Sequence, residues 1–144
     1  MSLDIAFDAD NTFAKIIRGE MACVKIEETA DTLAFMDVFP QSEGHCLVVH
    51  KNANATNLLD IKTESLGVLM NTVQRVAAGV KDSLNPDGIR IAQFNGAPAG
   101  QTVFHLHFHI IPVYENSALA PHAGGGPAVT ALLEETAAKI RAAL

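Results

Sequence analysis

The sequence predicts an α+β domain, with an antiparallel sheet of about five strands and helices packed against it. Three observations carry this expectation. Leu66, Leu69, Met70, Val73, Val76, Ala77, Val80 and Leu84 recur at steps of three and four, the period of a helix with one buried face. Several short segments, clearest at residues 103–113, instead alternate side-chain character with period two, as strands do. The links between neighbouring strand segments are short, which favours antiparallel pairing.

Taken in order, residues 1–10 read as a frayed lead-in. Asn11 is placed to cap a short helix whose apolar face is Phe13, Ile16 and Ile17, with Gly19 as its stop. Cys23 to Glu27 and Thr32 to Asp37 read as a hairpin with Asp31 in the turn, and Leu33 and Phe35 share one face. Pro40 to Gly44 is a loop, and His45 to His50 is a short apolar strand. The polar stretch 51–62 precedes the long helix, with Thr63 as its expected N-cap and Asn85-Pro86-Asp87-Gly88 as its end. Ile89 to Asn95 and Val103 to Val113 supply two more strands around the tight Gly96–Gly100 loop. A Gly/Pro-rich loop, Ala120 to Pro127, leads to a final helix with Val129, Leu132, Leu133, Ala137, Ile140 and Leu144 as its apolar positions. No linker, repeat or charge block divides the chain, so residues 1–144 are expected to form one domain.

Composition narrows the function. Hydrophobic residues make up 49% of the chain and charged residues 18%, enough apolar material for one good core. The formal net charge of −6 repels a polyanionic backbone, so nucleic acid is not an expected partner, while a local donor cluster can still hold one phosphate. Cys23 and Cys46 lack Cys-x-x-Cys spacing and suit a reducing compartment. The N-terminus carries Asp4, Asp8 and Asp10 with no basic patch, and no apolar run approaches the roughly 20 residues that span a bilayer. A cytoplasmic protein without a membrane partner is expected.

The chemistry concentrates in Gly100-Gln101-Thr102-Val103-Phe104-His105-Leu106-His107-Phe108-His109. On a strand, His105, His107 and His109 project to one side, spaced by roughly 6.5 Å, and Leu106, Phe108 and Ile110 to the other. A half-exposed strand with no further role is one reading, but strand propensity does not ask for histidine there. A metal site is a second, with His45 as a further ligand. Catalysis is a third, because neutral imidazole is a competent nucleophile near pH 7 and can split one hard displacement at phosphorus into two easier ones. Gln101 and Thr102 would place an amide and a hydroxyl beside it.

The pattern His-apolar-His-apolar-His-apolar-apolar resembles the signature of the histidine triad (HIT) superfamily. The resemblance extends through Ala99-Gly100-Gln101-Thr102-Val103, Asn95-Gly96, Phe35-Met36-Asp37-Val38-Phe39-Pro40, Gly44-His45-Cys46-Leu47-Val48-Val49 and the helix from Phe13 to Glu20. It runs in order from about Thr12 to Pro112, and residues 114–144 form a divergent tail with a helix. The resemblance, closest to the Hint-like nucleotide-binding branch, implies a HIT-like fold and a homodimer. It also implies hydrolysis of a nucleoside 5′-phosphoramidate, a purine nucleotide on an amine, through a nucleotidyl-histidine. His107 would be the nucleophile, with a backbone carbonyl fixing its tautomer. His109 would bind a phosphate oxygen, His105 and His45 would orient and polarise the site, and Thr102 would assist the leaving group. Gln101 would sit beside the phosphate, Asp37 would accept from the ribose hydroxyls and Asn95 would contact ribose or phosphate. Phe13, Ile16, Phe35, Met36 and Val38 would form the base slot. His50 and His122 match no role and are expected at the surface.

The chain departs from the family pattern at one place. Many bacterial relatives hold structural zinc through Cys-x-x-Cys on the first helix and two histidines. Here that stretch is Asn11-Thr12-Phe13-Ala14, and Ala53 stands where one histidine is expected. No metal and no cofactor are therefore expected. Dinucleoside polyphosphate hydrolysis, a non-catalytic nucleotide-binding adaptor and a metal-chelating strand protein are the alternatives.

Overall fold

A computed structural model of the chain describes residues 2–121 and 126–144. Helix α1 spans Thr12–Ile17, strands β1 and β2 Lys25–Glu28 and Thr32–Met36, and β3 Cys46–His50. Helix α2 spans Thr63–Leu84, β4 Gly88–Ala92, β5 His107–Val113 and α3 Thr130–Ala142. The strands form one antiparallel sheet in the order β1-β2-β3-β5-β4. The α+β expectation holds.

The sheet has two unlike faces, and period-two alternation decides which residue meets which. Ala34, Met36, Cys46, Val48, Phe108 and Ile110 pack under α2 and α3, against Leu69, Val73, Val76, Val80, Leu133, Ala137 and Ile140. Leu33, Phe35, Leu47 and Val49 face the other way and are covered by Phe13 of α1, with Ile16 and Ile17 beside them. His107 lies opposite Val49 and His109 opposite Leu47, so both histidines belong to the α1 face. The main core thus sits behind the sheet, and the histidines sit in front of it under a short helix.

Several sequence expectations shift. Strand β5 begins at His107 rather than Val103. Its partner β3 ends at His50, and the preceding segment bonds the 51–62 loop instead, through Leu106 N–H to Ala55 O and Gln101 Nε2 to Thr56 O. Strand β4 stops at Ala92, where the Gln93 amide turns onto the Phe94 carbonyl and Asn95 Oδ1. Thr63 is the first helical residue, and Lys62 occupies the cap position with extended backbone. Val129 and Leu132 are exposed, leaving Leu133, Thr136, Ala137 and Ile140 as the buried stripe of α3. The lead-in is docked rather than frayed: Ile5 O accepts from the Thr56 hydroxyl and the Phe7 ring lies 5.4 Å from that of His105. His50 is buried, not at the surface, with its Nδ1 accepting from Asn52 N–H. His122 lies outside the described residues.

The tail is tied to the loop between β2 and β3. Ala120 N–H donates to Gln41 O, Gln41 Nε2 to Ala120 O, and Ala128 N–H to Val38 O. Gly44 closes that loop at φ +93°, where an added Cβ would overlap Leu84 Cδ1 and meet Pro112 Cγ at 3.1 Å. Both the left-handed backbone and the close approach require glycine. Gly44→Ala is expected to lower the unfolding free energy by about 2 kcal/mol, read from urea denaturation; an unchanged midpoint would contradict the packing described.

Candidate active site

Helix α1, β2, β3 and β5 enclose a cavity of about 530 Å³. That lies within the roughly 300–1,000 Å³ usual for small-molecule sites. Phe13, Ile16, Phe35, Leu47 and Val103 form an apolar slot, and Met21, Val38 and Phe39 extend it at exposed positions. Asp37, Thr102, His107 and His109 supply side-chain polar atoms, with Thr12 and Cys23 at the slot. No Lys or Arg lines it among the described residues.

His107 is 7% exposed and packs edge-on against Phe13, with ring centroids 4.9 Å apart and planes at 90°. Its Nδ1 lies 2.7 Å from the main-chain oxygen of His105, an atom that can only accept. The proton therefore sits on Nδ1, and Nε2 carries the lone pair, as a nucleophile requires. This is the carbonyl contact that the sequence led one to expect.

A second chain of bonds sets the neighbouring rings. Gln41 N–H donates to His45 Nδ1 at 2.9 Å, so the His45 proton must be on Nε2. That Nε2 lies 2.9 Å from His109 Nδ1 and 3.3 Å from Asp37 Oδ2. His109 accepts at Nδ1, which puts its own proton on Nε2 as a donor suited to an anionic oxygen. His107 and His109 stack obliquely with centroids 4.9 Å apart, and Phe94 covers His109 at 5.5 Å. The second Asp37 oxygen takes the Phe39 N–H at 2.8 Å, which holds the carboxylate at the cavity wall.

The ligating atoms of Asp37, His45 and His109 lie within 4.8 Å of one another, close enough to raise the metal question. The hydrogen bonding speaks against it. A metal on His45 Nε2 needs that nitrogen deprotonated while Nδ1 already accepts from the Gln41 amide, so the ring would have to be an imidazolate. The set is arranged to share protons.

His105 departs from the expected row. It precedes the strand, is 4% exposed and lines a separate, smaller cavity with Phe7, Ile17, Arg18, Lys51 and Asn54. It reaches His107 through its carbonyl, not its ring. Gln101 and Asn95 also miss the cavity. Gln101 is buried, with Oε1 accepting from Gly96 N–H and Nε2 donating to Thr56 O and Val103 O. Asn95 Oδ1 takes Leu58 N–H and Gln93 Nε2. The Gln101 amide and the Asn95 side-chain oxygen brace the loop before the histidines. Met36 packs its side chain under α2 and borders the cavity with main chain. Met21, Ala22 and Cys23 were not legible as lining, because they follow a helix stop with no periodicity. Leu47 and Val103 were also missed; the alternation of Leu47 with His45 leading into β3 is the signal that could have placed Leu47. Cys46 is fully buried and its thiol is pushed up to about 12 by burial, which makes it an inert core residue.

This histidine arrangement, on this sheet, is that of a known family of domains. The HIT domain family model matches residues 18–116, and the chain belongs to that family. It is 40% identical over 100 residues to adenosine 5'-monophosphoramidase hnt1 of Schizosaccharomyces pombe, covering 69% of this chain and 71% of that protein. A crystal structure of a Hit-like protein involved in cell-cycle regulation from Bartonella henselae superposes with TM-score 0.91 at 48% identity, covering 97% of this chain and all of that one. A zinc-bound histidine triad protein from Mycobacterium smegmatis matches with TM-score 0.80 at 30% identity, over 93% and 92% of the two chains. No helix among the described residues is long and apolar enough to cross a membrane.

Burial holds the His105 ring down to about 4, against a weaker upward pull from the His50 carbonyl. Unfolded histidine titrates near 6.5. Between these values the unfolded chain takes up a proton that the folded chain refuses, so stability falls as pH drops from about 6.5 toward 4 and is complete above 6.5. The full loss is on the order of 3 kcal/mol, and burial of His50 acts in the same direction. Urea unfolding of wild type and His105→Gln at pH 7 and 4.5 checks this. The variant should lose less stability on acidification; equal losses would contradict the assignment.

Proposed function

We propose that this chain is a hydrolase of nucleoside 5′-phosphoramidates that works through a nucleotidyl-histidine on His107. The observation that carries the reading is the His107 Nδ1 contact to the His105 carbonyl at 2.7 Å, beside His109, at the end of an apolar slot. The name of the yeast relative supports the substrate class.

In this reading the purine lies between Ile16, Phe13 and Phe35, with Val38 at the edge and no side chain selecting one purine over another. Asp37 accepts from the ribose hydroxyls. His107 Nε2 attacks the phosphorus in line with the P–N bond, forming N–P as P–N breaks. The departing amine takes a proton from solvent water, relayed through the exposed Thr102 hydroxyl, and the water that attacks in the second step gives its proton back to solvent by the same route. His109 Nε2–H holds a non-bridging oxygen, and His45 and Asp37 keep that donor in place. Water then attacks phosphorus, the N–P bond breaks, and His107 returns to its starting tautomer. Gln101 and Asn95 act here by bracing the loop, and no step draws on a metal or cofactor.

The lining favours a single phosphate over a polyphosphate. Each further phosphate would bring negative charge to a cavity with no lining Lys or Arg and an aspartate at its wall. Turnover of an AMP–amine phosphoramidate with chelator present should be unaffected in the wild type. It should drop at least about a thousandfold in His107→Ala. Full turnover by the variant would sink the proposal. Faster hydrolysis of diadenosine polyphosphates would move the activity to that class, and AMP binding without turnover would make the chain an adaptor.

We also place the protein in the cytoplasm as a homodimer, in keeping with its two free cysteines and an open sheet edge. Strand β4 is one of the two edge strands, its Ile91 is 46% exposed, and Val68 of α2 is exposed as well. Such an edge asks for a cover. Ile91→Asp should convert a two-chain species to one chain in sedimentation equilibrium; a wild type that sediments as a single chain would refute the dimer.

A further inference from the structure

We propose that Asn11 is a positioning residue of the active site. The amide that caps α1 also fixes the tautomer of His105, and so fastens the base-slot helix to the carbonyl that holds His107.

The geometry leaves little freedom. A primary amide has one acceptor oxygen and two N–H donors. Asn11 Oδ1 takes the Ala14 N–H at 2.9 Å, which settles which end of the amide is which. Its Nδ2 then donates to Asp8 O at 2.8 Å and to His105 Nδ1 at 3.1 Å, across 94 residues of sequence. His105 must accept at Nδ1, so its proton lies on Nε2, which faces His50 O at 3.3 Å. The ring is thereby pinned at both nitrogens, between Phe7 and Phe13, and its main-chain oxygen is presented to His107.

The surroundings keep that ring neutral. His50 and Lys51 approach from β3 and its end, Arg18 from just beyond α1, and His107 from β5. Arg18 is paired with Asp10 and Glu20, and Lys51 with Glu28. Among the described residues no carboxylate hydrogen-bonds the His105 ring, and burial disfavours its charged form. A neutral donor at Nδ1 is therefore needed, and Asn11 is the side chain that supplies it. A helix cap requires only an acceptor, which Ser, Thr or Asp provides as well. The donor half of the amide is what the site uses.

That division gives the test. Asn11→Asp keeps a good cap and adds favourable charge at the helix start, but offers His105 Nδ1 only acceptors. The ring must then carry a proton on Nδ1. Asn11→Ser keeps the cap with a side chain one atom shorter than the contact needs. Imidazole ¹⁵N–¹H correlation spectra at pH 7 read the His105 tautomer directly, without any assumption about the reaction. The expected wild-type signature is neutral with the proton on Nε2. Asn11→Asp should show a proton on Nδ1, and Asn11→Ser a mixture. The kinetic arm rests on the phosphoramidase reading. There, kcat for an AMP–amine should fall about tenfold in Asn11→Asp while KM moves less than about twofold and the thermal midpoint stays within a few degrees. An unchanged His105 signature in both variants would overturn the proposal, whatever the substrate proves to be. So would a loss of kcat that follows only a loss of folded protein. If the wild type does not turn over the phosphoramidate, the function reading fails and the spectra still decide the role of Asn11.

Discussion

A ring nitrogen can act as a nucleophile only if its lone pair points outward, and for His107 a main-chain oxygen two residues away holds the proton on the other nitrogen. The His105 carbonyl can do this because β3 ends at His50. From that point the chain before His107 has no strand partner, so its carbonyl is turned toward a side chain instead of into the ladder. Everything upstream serves this bend. Leu106 is anchored to Ala55, and Gln101 ties the loop to Thr56 and Gly96. The sheet supplies stiffness, and its interruption supplies the tautomer.

The rest of the site follows the same logic, with main-chain groups fixing side-chain protons. The Gln41 amide determines where the His45 proton sits, and His45 in turn determines it for His109. These main-chain donors and acceptors keep the same chemical sense at every ordinary pH. They give His45, His107 and His109 defined donor and acceptor roles beside the Asp37 carboxylate. Desolvation, which usually penalises ionisable groups, here helps by keeping His105 uncharged. A cavity lined by apolar side chains and neutral imidazoles strengthens each remaining dipole.

Much of this was legible in the chain and part was not. The stripe from Leu66 to Leu84 and the alternation around His107 fixed α2, β5 and the side of the sheet on which each residue lies. The ordered motifs led to the family. Strand ends were less legible, because they depend on where the partner strand stops: Val103 to His105 read as strand and are not. Amide roles were misjudged for a related reason. Gln101 and Asn95 sit next to the histidines in sequence, yet their hydrogen bonds are taken by Gly96, Thr56 and Leu58, partners that no local pattern reveals. His50 looked like a surface residue because the turn that gives its Nδ1 the Asn52 N–H, and the His105 ring against its carbonyl, have no local sequence signal. Asn11 was visible as a cap, while its second role depends on a residue 94 positions away.

The clasp between Gln41 and Ala120 ties the tail to one end of the cavity. The apolar end is walled by α1 and β2, which come from the first 40 residues. The histidine end depends on Gln41, whose carbonyl and side-chain amide are both held by Ala120 in the tail that lies past the family's common segment. Drift in the tail is therefore felt at His45 and His109 through Gln41, and at the rim of the apolar slot through the bond from Ala128 to Val38. The tail thus reaches both ends of the cavity by different routes, one a relay of hydrogen bonds through imidazole rings and the other a single main-chain bond.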